Sequence, residues 1–224
     1  RSLTSWNGLM IWALAIGARV LEQSDAGWEL APRLEKAAIE AANFLLTSLK
    51  GPDGGLLHTY RKGKAQVPAF LDDYAFLARG LFELHQTTQD PRWLKESLSL
   101  ANEMHSLFEN PDGGAYFFTR ANTADVLVRR TELYDGAEPS GNSVAAEVLV
   151  KLGSLTGDPV LLDRADAIFK GASGHFAIYG PAGFTQLLCA WDFVSGAPRE
   201  VVIVVPPGGD AEEMLEVGRE GFRP

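Results

Sequence analysis

The chain has 224 residues, 46% hydrophobic and 22% charged, which is enough apolar sequence to bury a sizeable single core. A net charge of −9 and a pI near 4.9 argue against nucleic acid or an anionic membrane surface as a partner. No apolar run reaches membrane-spanning length, and a single cysteine, Cys189, leaves neither an internal disulfide nor a Cys-based zinc site, so a reducing, cytoplasmic setting is expected.

Taken in chain order, three- and four-residue apolar spacing predicts helices near 5–22, 33–49, 69–87, 92–108, 140–156, 159–171 and 181–194. Short strand signals, LLHTY (56–60), AYFFT (115–119) and VLVRR (126–130), fall inside the connections. The stretch REVVIVVPPGGDAEEMLEVGRE (199–220) reads instead as a buried strand, a turn and a helix. Residues 1–197 are therefore expected to form one helical segment, and 198–224 the start of an α/β appendage. Neither end carries a signal-peptide pattern, and both are read as cuts through a longer protein.

The sequence repeats itself. AANFLLTSLKGPDGGLLHTY (41–60) aligns with LANEMHSLFENPDGGAYFFT (100–119), Pro111 following Pro52 by 59 positions. A second echo, 68 positions apart, pairs TTQDPRWL (87–94) with LTGDPVLL (155–162). In each, Asp suits an N-cap and Pro the first helical position. Asp53 and Asp112 of the Pro-Asp-Gly-Gly repeats read as turn residues. Tight links near 23–32, 88–91 and 157–158 alternate with longer, Gly-rich ones near 50–68, 109–139 and 172–180. That alternation predicts an α/α toroid, mainly α, whose long loops gather over the N-termini of alternate, inner helices; a plain α-solenoid is the other reading.

Three inner helices would then begin with SWNGLM (5–10), LDDYAFL (71–77) and EPSGNSVAA (138–146). Asn7, Asp73 and Asn142 fall at near-equal intervals of 66 and 69 residues, and their side chains are expected to converge on the toroid's mouth. An N-cap would favour the same residue types. In YDGAEPSGNS (134–143), the Pro, Ser and Asn suit a helix start, whereas Asp135 and Glu138 precede it in a loop that also supplies Tyr134.

LTSWNGLMIWALA, FLDDYAFLARGL, YDGAEPSGNSVAA and GPAGFTQLLCAWDF together resemble the C-terminal part of the thioredoxin-domain proteins of the spermatogenesis-associated/YyaL-like family. The resemblance runs in order through essentially the whole chain. It implies the second half of an (α/α)6 barrel similar to six-hairpin glycosidases and N-acylglucosamine 2-epimerases, followed by the start of a C-terminal α/β piece. It also implies that the thioredoxin-like domain and the first half of the barrel lie outside this chain, so no thiol chemistry is carried over to it. An isolated half-ring would expose apolar edges. Another part of the protein, or a second copy of the chain, is expected to cover them.

Sugar clefts combine aromatic platforms with carboxylates, and glycoside hydrolysis needs two acids of separated pKa. The candidates for acid/base work are Asp73 with Glu138 or Asp135 as its partner. Trp6 and Tyr74 would stack on a ring, with Asn7 and Asn142 on hydroxyls and Asp72 and Tyr134 beside them. Epimerisation would instead need a His to move a proton next to a carbonyl. His58 and His175, both predicted in long loops, are the candidates, while His85 and His105, late in their helices, read as structural. Scattered acids and separated His lack metal-ligand spacing, and VVPPGGD lacks the residues of a phosphate loop, so no metal or cofactor is expected. The other class is a non-catalytic binding or scaffold module for the missing thioredoxin-like domain or another protein, which would scatter these acids or tie them up in structural bonds. Cys189, among Leu187, Leu188 and Trp191, reads as a small buried hydrophobe.

Overall fold

The computed structural model describes residues 1–22, 27, 29–121, 123, 126–196, 201–211, 214, 215 and 217. Its helices are α1 (Thr4–Leu21), α2 (Ala31–Ser48), α3 (Leu71–Thr88), α4 (Pro91–Phe108), α5 (Gly141–Thr156), α6 (Pro159–Tyr179) and α7 (Thr185–Ser195). The paired Asp-Pro starts behave as their chemistry dictates. Asp90 accepts from the Arg92 N–H and Asp158 from the Val160 N–H, both at 2.9 Å, with Pro in the first turn of α4 and α6.

These helices form two layers. α1, α3, α5 and α7 stand side by side, while α2, α4 and α6 back α1, α3 and α5 respectively. This is the alternating inner and outer arrangement of an α/α toroid segment. Position in the layers explains composition: α3 is buried at nearly every residue from Asp73 to Leu84, whereas α4 buries one stripe containing Trp93, Leu100, Ala101, Met104 and Phe108. The links from α2 to α3 and from α4 to α5 are the long ones and lie at the N-terminal end of the inner helices.

The first long link carries a three-stranded antiparallel sheet in the order β1 (Ser2–Leu3), β2 (Leu57–Arg61), β3 (Lys64–Pro68). Register pairs Leu3 with Thr59 and Thr59 with Gln66, which sets the entry of α1 against the entry of α3. LLHTY is thus a strand. AYFFT and VLVRR are not: the loop holds a single bridge, Phe117 to Thr131, because Asn142 and Arg129 take the carbonyls and amides a ladder would need. Both Pro-Asp-Gly-Gly segments are turns, with Gly54 and Gly113 at φ of 82° and 81°.

Three further expectations are corrected. Residues 172–179 continue α6, so the third link is only a short 3-10 turn at Pro181–Gly183. Val201–Val205 forms no strand among the described residues; Val201, Val202 and Val204 are exposed, because no strand edge of the described residues lies beside them. Cys189 is exposed on the free face of α7, one residue from buried Ala190. The stretches 197–200, 212–213 and 218–224 lie outside the described residues, as do parts of the appendage predicted from 198 onward. No described helix is long and apolar enough to cross a membrane.

α1 and α3 cross so closely that only glycine fits. A Cβ on Gly8 would lie 2.7 Å from the Leu77 N, and one on Gly80 would lie 2.7 Å from the Gly8 carbonyl oxygen. The obstructing atoms are backbone and cannot rotate away. Alanine gains about 1 kcal/mol of helix propensity over glycine, but forcing the helices apart costs about 1–3 kcal/mol and exposes the surrounding core. Gly80→Ala is therefore expected to lower stability by about 2 kcal/mol in urea unfolding, and an unchanged midpoint would contradict the crossing.

Candidate functional site

The mouth is built from the first turns of three inner helices. Asp73 is fully buried and is the most heavily bonded of the predicted residues. Its Oδ1 accepts from the Ser5 N–H at 2.9 Å and its Oδ2 from the Phe70 N–H at 2.8 Å, so one carboxylate caps α3 and pins the start of α1. His58, on β2, places Nδ1 3.0 and 2.9 Å from the two oxygens. A carboxylate only accepts, so Nδ1 carries the proton and Nε2 is the other ring position. The His58 ring also sits edge-on to Phe70, which stacks on Phe118.

Asn7 and Asn142 both lie in the first turns of their helices, the fourth residue of α1 and the second of α5, and their amides serve the chain itself. Asn7 donates to the Leu3 carbonyl at 2.7 Å. Asn142 is fully buried; it accepts from the Tyr116 N–H at 2.8 Å and donates to the Tyr116 and Glu132 carbonyls at 2.9 Å each, which clamps the long 109–140 link to α5. Asp135 accepts from the Ser140 N–H at 2.8 Å and the Gln186 N–H at 2.9 Å, bridging the starts of α5 and α7. Tyr74 is buried, with its hydroxyl accepting from the Leu56 N–H and from Arg120. His175 lies on the exposed end of α6, stacked on Tyr179 and away from these residues.

What remains open at the mouth is a smaller group. Trp6, on the first turn of α1, is 61% exposed, and its Nε1–H donates to Glu138 Oε2 at 3.2 Å. That bond joins α1 to the loop before α5; Asp72 stands at the start of α3. Asp72 is half-buried, and the Gly141 N–H at the start of α5 bonds to it. Burial pushes the Asp72 carboxyl up to about 7, and the negative charges of Asp73, Glu132 and Glu138 add to the effect; the Gly141 bond opposes it only in part. Tyr134 is 67% exposed, and its ring lies over Gly183, where a Cβ would come within 2.6 Å. Asp72, Glu138 and Trp6 thus bring a carboxyl that holds its proton near neutrality together with a second carboxyl group and an exposed aromatic face, while Tyr134 stands exposed beside Gly183.

Behind the mouth runs an ion network that sequence reading missed. Arg79, 3% exposed, bonds to Glu83 through Nη1 and to Glu147 through Nη2 at 2.9 Å. Glu83 also pairs with Arg19 at 2.8 Å, and Glu147 accepts from Gln186 Nε2 at 2.7 Å. Trp12 covers the guanidinium, 4.4 Å from its ring centroid. The network joins all four inner helices. Its signal is present in the sequence as Arg79 and Glu83, four apart, and Glu147 inside otherwise apolar helical runs.

Among the described residues, no group of three or more His, Cys, Asp or Glu is arranged to hold a metal ion. No family model matches the chain. Spermatogenesis-associated protein 20 of Rattus norvegicus is 34% identical over 227 residues, covering 96% of this chain and 28% of that protein. The Mus musculus protein of the same name is 34% identical over 183 residues, covering 77% and 22%. The chain thus spans about a quarter of the length of the curated relatives it matches. Among solved structures, cellobiose 2-epimerase from Spirochaeta thermophila superposes with a TM-score of 0.63 at 13% identity, over 89% of this chain and 55% of that one. A GH76 alpha-mannanase of Bacteroides thetaiotaomicron gives 0.53 at 21% identity, over 76% and 44%. Both likenesses establish the α/α-toroid fold.

Proposed function

We propose, for a chain that is a homologue of spermatogenesis-associated protein 20 and folds as part of an α/α toroid, that its inner-helix starts form a saccharide site worked by carboxyl groups. One observation carries this reading: Asp72 holds its proton to about 7 near Glu138, which in turn accepts from the exposed Trp6 indole. An acid that stays protonated at neutral pH can donate to a leaving oxygen, while a second carboxylate on the other side stabilises or activates what attacks. Trp6 and Tyr134 supply the apolar faces that sugar rings stack on. The two structural neighbours act on sugars by their names, which supports the choice of substrate class.

The bonds that Asp73 makes to the Ser5 and Phe70 amides support giving the acid role to its neighbour Asp72. The second reading rests on the same bonds. Asp73 fixes His58 with Nδ1 protonated, which makes Nε2 a base able to remove a proton next to a carbonyl, as an epimerase requires. The non-catalytic scaffold draws support from Asp73, Asp135 and Asn142, all engaged in holding the chain together.

The test is proton NMR on the full-length protein with a panel of neutral mono- and disaccharides in heavy water. Hydrolysis gives new anomeric signals, and epimerisation gives loss of the proton beside the carbonyl. Asp72→Asn is expected to abolish hydrolysis by about 10²–10⁴-fold while retaining binding. If His58→Asn abolishes turnover and Asp72→Asn does not, the second reading replaces the first. Binding and turnover absent from a folded wild type would leave the scaffold.

A further inference from the structure

Gln186 makes two bonds that point to different parts of the molecule. Its backbone N–H donates to Asp135 Oδ2 at 2.9 Å, and its side-chain Nε2 donates to Glu147 Oε2 at 2.7 Å. The other Asp135 oxygen accepts from the Ser140 N–H at 2.8 Å, so a single carboxylate closes the loop 135–140 and fastens it to the first turn of α7. Within that closed loop the Gly136 N–H donates to the Glu138 carbonyl at 3.0 Å, and the Asp135 N–H donates to the Gly183 carbonyl at 2.7 Å. Glu138 stands on this loop and Tyr134 immediately before it.

α7 needs that fastening. It has only 11 residues, and its N-cap, Phe184, offers no side-chain acceptor. Asp135 supplies the missing acceptor from another part of the chain. The Gln186 side chain in turn fixes the same turn to Glu147 of α5, which Arg79 holds.

We infer that Gln186 is a positioning residue: by locking the start of α7 between Glu147 and Asp135, it sets where the Glu138 carboxylate meets Trp6. The functional meaning of that position rests on the proposed saccharide site, but the position itself can be read without a sugar. Trp6 Nε1 bonds directly to Glu138, so the Trp6 indole reports where Glu138 stands.

The experiment is fluorine NMR on the full-length protein carrying 5-fluorotryptophan, the Trp6 line being identified by its loss in Trp6→Phe. Gln186→Leu is expected to move that line in the direction that Glu138→Ala moves it, by about half as much or more. Gln186→Asn, which stays polar but cannot span to Glu147, gives the same reading should the Leu variant fold poorly. Ser97→Ala removes a buried bond to the Ala78 carbonyl on α3 and is expected to leave the Trp6 line in place. A Trp6 line that ignores both Gln186 variants, in folded protein, overturns the inference. With any saccharide that the wild type binds, Gln186→Leu should weaken binding about tenfold, and should add nothing in a Glu138→Ala background. A moved Trp6 line without saccharide binding removes the sugar reading and keeps the positioning role. Unchanged affinity with an unmoved line does the reverse.

Discussion

Asp72→Asn is expected to stabilise the fold above neutral pH and to leave its stability unchanged below pH 4. The Asp72 carboxyl titrates near 3.8 in an unfolded chain and near 7 in the fold, chiefly because burial penalises its charge and Asp73, Glu132 and Glu138 repel it. Folding raises this pKa, so the stability tied to the protonated form is complete below 3.8 and is lost as pH rises through about 7. The full span between the two values corresponds to about 4 kcal/mol, and solvent screening at a half-buried mouth reduces it to roughly 2 kcal/mol. Asn keeps an oxygen for the Gly141 N–H but carries no charge to be penalised. Urea unfolding of both proteins from pH 3.5 to 9 should therefore give a difference near zero at the acid end and roughly 2 kcal/mol in favour of Asn at the alkaline end. Comparing the two proteins at each pH removes the titration of the neighbouring acids, which both share. A difference that is constant with pH, or that favours Asp at pH 8, would refute the assignment.

Arg79→Met should be the most damaging single change to the inner layer. Burial alone would push the Arg79 pKa down, but Glu147 and Glu83 outweigh it, and the guanidinium stays charged. Burial likewise pushes Glu83 up, and Arg79 with Arg19 brings it below its ordinary value. Each charge is tolerable only because the others are there. Methionine fills much of the volume against Trp12 but leaves Glu147 with Gln186 and a more distant Lys151, 3.9 Å away. The expected loss is about 3–5 kcal/mol at pH 7, measured by urea unfolding. Adding Glu147→Gln removes the stranded charge, so the double variant should be more stable than the sum of the two single changes. A loss under about 1 kcal/mol would mean that the network is not holding the inner helices together.

The helical layers were legible because their causes are local. Apolar spacing marks each helix, and the repeated Asp-Pro starts and Pro-Asp-Gly-Gly turns mark where chains reverse. α6 was read eight residues short because GASGH carries two glycines and a serine that signal a loop, whereas Ala172 and the contact of Gly171 with Ala115 favour continuing the helix. The strand read at Val201–Val205 failed for a different reason: five apolar residues specify an extended chain, but only a neighbouring strand makes it a sheet.

At the mouth, spacing located three helix starts but not the bonds their side chains make. Asn7, Asp73 and Asn142 do lie at three helix starts, where each bonds to the chain: Asp73 accepts from the Ser5 and Phe70 amides, Asn7 donates to the Leu3 carbonyl, and Asn142 holds the Tyr116 amide and carbonyl. Asp72, next to Asp73, turns instead toward α5 and keeps its proton. Which of two adjacent acids faces the neighbouring helix depends on packing between segments 70 residues apart, and no local pattern encodes it. The Trp6–Glu138 bond is of the same kind, joining residues 132 positions apart.

The central claim is that protonated Asp72 takes part in saccharide binding at these helix starts. Calorimetry of the full-length protein against the saccharide panel at pH 5.5, 7 and 8.5 tests it most directly, with Asp72→Asn alongside. The account predicts binding by the wild type that weakens as pH rises through about 7, and binding by Asp72→Asn that is flat across the range. Wild-type protein that is folded yet binds no saccharide, or a variant that shows the same pH dependence as the wild type, would contradict it.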